Sequence, residues 1–155
     1  YYSYRASSWG WATWKDRWKT VDWDVKDYEK FKKDKTVRKR LNRGGRDMSI
    51  MLDSQMKGQR DSWAIRWCYT QSKKNMLTVY PVETRVRNIG LDGSGTHGGI
   101  TSKFDNKLFN GKRVTKFSDP GLDERIVRNF RDYYMSSTGY VIHRLKHHVK
   151  KILKA

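Results

Sequence analysis

The chain has 155 residues, of which 32% are charged and 14% aromatic, and its formal net charge is +18. This length suits one domain or less with a modest core, and the aromatic content argues against a disordered chain. The single Cys68 excludes an intrachain disulfide and a multi-cysteine zinc site, and no apolar run reaches the length of a membrane span. The positive charge predicts an anionic partner or surroundings, such as nucleic acid, an acidic membrane surface or a phosphorylated small molecule.

Tryptophan is concentrated near the start of the chain, where five of the seven Trp fall within the first 23 residues. The spacing of Trp11, Trp14 and Trp18 predicts a helix with one aromatic face. Trp9 and Gly10 precede that helix, and glycine there lets the backbone turn tightly. Exposed indoles suit stacking against sugar rings, and packing in the core is the alternative, which is favoured for Trp14 and Trp18.

Helices are also predicted for the next third of the chain. Asp24 is a candidate N-cap for a short helix that ends near residue 31, and the basic run 30–43 contains the apolar pair Val37 and Leu41 at helical spacing. A solvated helix with one buried edge explains that run. After a glycine stop signal, periodic apolar residues indicate a helix over residues 47–57.

A further helix is predicted to begin within residues 61–69 and to end at residues 73–75, with Asp61 or Ser62 as its N-cap. Residues 77–80 read as a strand, and the alternation over residues 82–89 predicts an extended segment. Five glycines within residues 90–99 indicate a loop with exposed N–H groups. Residues 102–117 are predicted to form a polar hairpin.

Two helices, over residues 123–134 and 140–153, are predicted to close the chain. The second carries apolar residues on one side, and its other side carries Arg144, Lys146, Lys150, Lys151 and Lys154. Such a basic amphipathic helix suits an anionic membrane surface, and a terminal helix docked on the protein explains the pattern equally well.

Four segments stand in a distinctive order and spacing: residues 8–14 (SWGWATW), 61–67 (DSWAIRW), 77–81 (LTVYP) and 88–97 (NIGLDGSGTH). Together they resemble the C-terminal half of bacterial family 2 glycosyltransferases, the inverting GT-A type that builds surface polysaccharides. The resemblance covers roughly residues 1–105. It implies an α/β fold, dominated by helices, whose few strands complete a sheet belonging mostly to another half. Residues 1–117 would be the acceptor-side part of the catalytic domain, and residues 118–155 a helical extension.

In this family an N-terminal Rossmann-like half binds the nucleotide and carries an Asp-x-Asp motif for a divalent metal. Here Asp22-Trp23-Asp24 follows a predicted helix rather than a core strand. The resemblance therefore implies that the donor-binding half is absent, that Mg²⁺ or Mn²⁺ serves the full-length enzyme, and that this chain alone does not transfer sugar. It also implies a nucleotide-sugar donor, a glycan or lipid-linked acceptor, and a cytoplasmic location, either free or peripheral on the inner face of the cell membrane.

Roles for particular residues follow from the same resemblance. An inverting transferase needs a carboxylate that takes the proton of the acceptor hydroxyl, and Asp61 at a helix start is the expected base. The family has an acidic pair there, whereas Arg60 precedes Asp61 in this chain. A plain N-cap is the alternative for Asp61, and Asp47 is the reserve candidate.

Arg66 is expected to bind the leaving diphosphate, because a guanidinium suits phosphate; pairing with a surface carboxylate is the alternative. His97 is expected to touch the diphosphate or complete the metal shell from a glycine-rich lid, unless it is an exposed loop residue. Trp9, Gly10 and Trp11 would line the acceptor subsite.

A basic nucleic-acid-binding module is the rival interpretation, because aromatic residues interleaved with Lys and Arg can stack on bases. The sequence lacks an RNP-type, zinc-knuckle or helix-turn-helix signature, and five Trp in one block are unusual for base stacking. No nucleic-acid partner is therefore expected. A structural or membrane-docking segment without chemistry is the third interpretation.

Overall fold

A computed structural model describes residues 1–95, 100–111, 116–117 and 119–152, without the side chains of residues 144, 147, 148 and 150–152. The α-helices within these ranges are α1 (Lys15–Trp18), α2 (Tyr28–Lys33), α3 (Lys35–Leu41), α4 (Met48–Met56), α5 (Trp63–Lys73), α6 (Glu124–Tyr134) and α7 (Ser137–Ile152). Short strands β1 (Tyr2–Ser3) and β2 (Thr78–Val79) pair in antiparallel register. The described part is thus dominated by helices, and completion of a larger α/β sheet stays a prediction.

The hydrophobic core lies among α2, α3, α4 and α5. Its most buried large side chains are Phe31, Leu41, Met48, Leu52 and Ile65, each no more than 2% exposed. The predicted apolar edge of the basic run is confirmed, because Leu41 is buried and Val37 packs against the core. Burial of a side chain of this size contributes about 1.5–3 kcal/mol.

The small sheet fixes the N-terminal segment beside the chain that follows α5. The Tyr1 ammonium donates to the Tyr80 carbonyl oxygen at 2.8 Å, and the Tyr80 hydroxyl donates to the Arg5 carbonyl oxygen at 3.0 Å. The Tyr1 and Tyr80 rings stack with centroids 5.4 Å apart. Burial raises the pKa of the Tyr80 hydroxyl. These contacts set the direction in which the Trp-rich segment leaves β1.

The helix predicted to start at Trp11 is wrong in its first turn. Helix α1 starts at Lys15, and Trp14 before it is extended with ψ of 146°. Gly10 adopts a left-handed φ of +56°, which turns the chain so that Trp11 packs against α5. Packing of this indole therefore outweighs the local helical spacing.

Two predicted helix boundaries near the basic run are also wrong. Asp27, rather than Asp24, occupies the N-cap position of α2. The run does not form one helix, because Asp34 interrupts it with an extended backbone. The Asp34 carboxylate accepts hydrogen bonds from the Thr36 and Val37 N–H groups at 2.8 and 3.0 Å, and so begins α3.

Beyond β2, residues 82–88 form no strand, and neither do the described residues 102–111. The two stretches meet at a backbone hydrogen bond from the Phe109 N–H group to the Thr84 carbonyl oxygen at 3.0 Å. Part of the predicted hairpin, residues 112–115, lies outside the described residues. The helix predicted over residues 123–134 is confirmed as α6, and Asp123 caps it by accepting from the Arg125 N–H group at 2.8 Å.

Candidate functional site

An open groove of about 1290 Å³ runs between the Trp-rich segment and the chain beyond β2, with α6 at one side. Its lining includes many aromatic side chains, among them Trp9, Trp11, Trp14, Tyr80, Phe109 and Tyr133. Gly10 also lines it. The three residues expected to form an acceptor subsite, Trp9, Gly10 and Trp11, thus share one hollow.

One wall of the groove is anchored by an indole cluster, formed by Trp11, Trp18, Trp23, Trp63 and Trp67. Trp11 stacks on Trp63 with ring centroids 5.2 Å apart and lies 5.7 Å from the buried Trp67. Trp18 lies 4.6 Å from Trp23 on the other side of the cluster. Trp11 is therefore a fixed wall of the groove, held mainly by contacts with α5.

Trp9 and Trp14 are more exposed than Trp11. The side chain of Trp14 is 67% exposed, so its expected place in the core is wrong. The Arg17 guanidinium lies 4.7 Å from the centre of the Trp14 ring. Trp9 is 40% exposed and meets Phe104 edge to face at 5.1 Å. The extended backbone before α1 points these indoles away from the core.

Gly10 lies where the Trp-rich segment packs against the residue 82–88 stretch, and the space there admits only a glycine. A Cβ atom added at Gly10 would lie 2.5 Å from Cγ2 of Val86, closer than such atoms approach in proteins. The left-handed φ of Gly10 also disfavours any side chain. Glycine here lets the Trp-rich segment contact the residue 82–88 stretch directly.

A largely buried ion pair lies near the groove. The Arg5 guanidinium donates two hydrogen bonds to the Asp47 carboxylate at 2.8 and 3.0 Å, and it stacks 3.6 Å from the Tyr134 ring centre. Burial would lower the pKa of Arg5, but the bonds to Asp47 raise it above its ordinary value. Asp47 directly precedes α4, and a cavity of about 250 Å³ beside the pair is lined by Arg5, Trp9 and Met48.

Asp61 lies apart from this arrangement. Its side chain is 88% exposed, and it lines neither the groove nor the smaller cavity. Ser62, which follows it, occupies the N-cap position of α5, and its N–H group donates to Gln55 Oε1. The geometry does not bring Asp61 to the exposed indoles, because the N-cap position falls one residue later and leaves its carboxylate in solvent.

Arg66 faces the indole cluster rather than the groove. Its Nη1 donates to the Trp23 carbonyl oxygen at 3.0 Å, and its Nη2 lies 4.0 Å from the Asp61 carboxylate. This is the surface pairing anticipated as the alternative to a diphosphate contact. The diphosphate role of Arg66 stays a prediction.

The predictions for His97 fall outside the described residues, as do those for the rest of residues 96–99. Among the residues that the structure does describe, no group of three or more His, Cys, Asp or Glu could hold a metal ion. These residues do not supply the ligands of a divalent metal, so no chemical step is assigned to one. The metal of the full-length enzyme stays a prediction.

Sequence reasoning missed the Arg5–Asp47 pair and the far wall of the groove. The pair joins residues 42 positions apart, and the Phe104 ring meets Trp9 while Phe109 lines the groove, both from a stretch without regular structure. Charge and aromatic content alone give no local signal for either. No model of a known protein family matches this chain, and searches of curated proteins and solved structures gave no significant match.

Proposed function

We propose that this chain is the acceptor-side part of an inverting glycosyltransferase, which moves a sugar from a nucleotide-sugar donor to a glycan or lipid-linked acceptor. The observation that carries the proposal is the groove, in which exposed Trp14 and Trp9 flank the fixed Trp11. Exposed indoles on a firm wall suit the C–H face of a sugar ring.

The opposite wall supplies polar groups for sugar hydroxyls. Thr84, Asn106 and Asn110 line the groove together with Glu83. A ligand site of this kind combines apolar surface with a few polar groups that fix orientation. An acceptor sugar stacked on Trp14 would therefore find hydrogen-bond partners across the groove.

Within the proposal, Asp61 is the expected base and Asp47 is the reserve candidate. Asp47 is held by Arg5 at the start of α4, and like Asp61 it lines neither the groove nor the smaller cavity. In the reaction the acceptor oxygen would bond to the anomeric carbon as the bond to the diphosphate breaks, and the hydroxyl proton would pass to the carboxylate. Asp61 would have to act from solvent.

Glycan binding tests the acceptor groove directly. We expect the chain to bind members of an array of bacterial surface oligosaccharides, and Trp14→Ala to weaken that binding about tenfold, the scale of one lost stacking contact. Phe117→Ala is the matched control, because Phe117 is an exposed aromatic residue that does not line the groove. Equal effects of the two variants, or no bound glycan, would overturn the proposal.

The rival nucleic-acid module gives a different result in the same preparation. Tight binding of a short DNA or RNA duplex or single strand, falling steeply with salt and insensitive to added glycan, would favour it.

The coding sequence upstream offers a second test. A strand–helix–strand region with Asp-x-Asp after a core strand there would support the transferase, and its absence would oppose it.

A further inference from the structure

The apolar side of α7 is exposed to solvent. Four side chains form this apolar stripe: Val141 at 53%, Ile142 at 46%, Leu145 at 60% and Val149 at 53% exposure. Their spacing places all four on one side of the helix. An apolar strip that covers about two turns of one helix marks a contact surface rather than scattered surface residues.

The charge of the same segment is of one sign. Residues 135–155 contain no Asp or Glu, and their basic residues are Arg144, Lys146, Lys150, Lys151 and Lys154. By helical spacing, the positions of the basic residues within α7 lie away from the apolar stripe. The segment therefore combines an apolar face with a cationic one.

We propose that α7 docks on an anionic lipid bilayer, with the apolar stripe facing the acyl chains and the basic residues facing the headgroups. Charge complementarity decides among the occupants of this face. A second copy of the chain would bring a segment of the same positive charge against it, whereas anionic headgroups complement it. This inference goes beyond the transferase proposal and does not depend on it.

The helix would lie in the plane of the membrane surface. Its 16 residues span about 24 Å, less than the roughly 30 Å of a hydrocarbon core. Within the described part of the chain, no helix has the length and apolar character needed to cross a bilayer. An in-plane helix with a basic face and an apolar face is the geometry of peripheral anchors.

Vesicle sedimentation tests the proposal with the full chain. We expect binding to phosphatidylcholine vesicles that contain about 30 mol% phosphatidylglycerol, weaker binding to pure phosphatidylcholine, and loss of most binding when salt rises from about 0.1 to 0.5 M. Leu145→Glu should weaken binding about tenfold or more, because it places a charge in the apolar stripe.

Ile89→Glu is the matched control, because it adds the same charge at an 80% exposed apolar residue far along the sequence from α7. Neither substitution touches the core, so both variants should keep the circular dichroism spectrum of the parent. Equal vesicle binding of the two variants would overturn the proposal. So would a Leu145→Glu effect confined to self-association measured by sedimentation velocity, which would identify a second copy as the occupant.

Depth of insertion gives an independent measurement. Cys68 is the single cysteine and is buried, so a new surface cysteine can be labelled selectively with an environment-sensitive fluorophore. A label at Leu145→Cys should shift to the blue on anionic vesicles, whereas a label at His143→Cys, on the opposite side of α7, should stay in water. The same response from both labels would contradict an in-plane helix with a defined face.

Discussion

Arg5 and Asp47 face each other as a two-pronged ion pair, with Nη1 2.8 Å from Oδ1 and Nη2 3.0 Å from Oδ2. The pair joins the segment that leads into the Trp-rich groove wall to the start of α4. Their side chains are only 12% and 16% exposed. A charged pair so little exposed is much less screened than a surface pair, so each partner depends on the other.

Removing Arg5 should therefore destabilise the fold strongly. Arg5→Ala leaves the Asp47 carboxylate largely buried without its two strong donors and removes the contact with the Tyr134 ring. We expect the free energy of unfolding to fall by about 2–4 kcal/mol. Lys32→Ala is the control, because the ion pair of Lys32 with Glu29 lies at the surface. This variant should lower the free energy of unfolding by no more than about 0.5 kcal/mol. Urea unfolding at neutral pH measures both, and similar losses would contradict the buried role of Arg5.

Asp27 should make stability depend on acidic pH. Its Oδ2 accepts hydrogen bonds from the Tyr69 hydroxyl at 3.0 Å and the Lys73 ammonium at 2.7 Å. Burial acts to raise the pKa of Asp27, but these hydrogen bonds and the Lys73 charge lower it below its ordinary value. The Asp27 carboxylate therefore stabilises the fold fully above its unfolded pKa of about 3.9. This stabilisation is lost as the pH falls through the lower folded pKa.

Asp27→Asn should remove that dependence. At neutral pH the variant should be about 1 kcal/mol less stable than the parent, the usual value of a charge-assisted bond at a partly exposed site. The difference should shrink at acidic pH, as the pH falls through the lowered folded pKa of Asp27 and the parent carboxylate also becomes protonated. Asp24→Asn, at the exposed acid near the same helix, provides the control and should follow the parent at both pH values. A difference that is constant with pH would exclude the electrostatic explanation.

The two groove indoles Trp11 and Trp14 should differ in how much they contribute to the stability of the fold. Trp11→Ala removes a ring that stacks on α5, so the free energy of unfolding should fall by roughly 2–4 kcal/mol. Trp14→Ala removes a mostly exposed ring and should cost less than about 1 kcal/mol. Thermal or urea unfolding ranks the two. Equal losses would mean that Trp14 packs as the helical spacing suggested.

Sequence patterns correctly predicted the helices whose backbone follows the local spacing of apolar residues. Helix α5 keeps the expected apolar face of Ile65, Cys68 and Tyr69, and α4 follows its Met and Leu spacing. The Trp-rich segment has an equally regular spacing, yet Trp11 leaves the helix because its best contacts are Trp63 and Trp67, more than 50 positions away. Local periodicity describes a surface, and the partner of that surface decides whether the backbone is helical.

The candidate site was predicted only as far as its local residues allow. Trp9, Gly10 and Trp11 are neighbours in sequence and do line one groove. Asp61 was chosen from a helix-start pattern, but the N-cap falls on Ser62 and leaves that carboxylate in solvent. Asp47 gains its setting from Arg5, a long-range partner that no spacing rule selects. The polar far wall depends on a segment without regular structure.

Gly10 and Gly58 permit a separation of backbone strain from steric contact. Both have a left-handed φ, +56° and +67°, but a Cβ at Gly10 would meet Val86 at 2.5 Å, whereas a Cβ at Gly58 would have no neighbour within 4 Å. Gly58→Ala should therefore cost only the backbone strain, about 1 kcal/mol. Gly10→Ala should cost roughly 2–3 kcal/mol, because the Val86 side chain must also move. Since Val86 lines the groove opposite Gly10, Gly10→Ala should weaken glycan binding while Gly58→Ala leaves it unchanged. Urea unfolding and the oligosaccharide array measure the two effects, and equal stability losses with equal glycan binding would mean that the walls do not meet at Gly10.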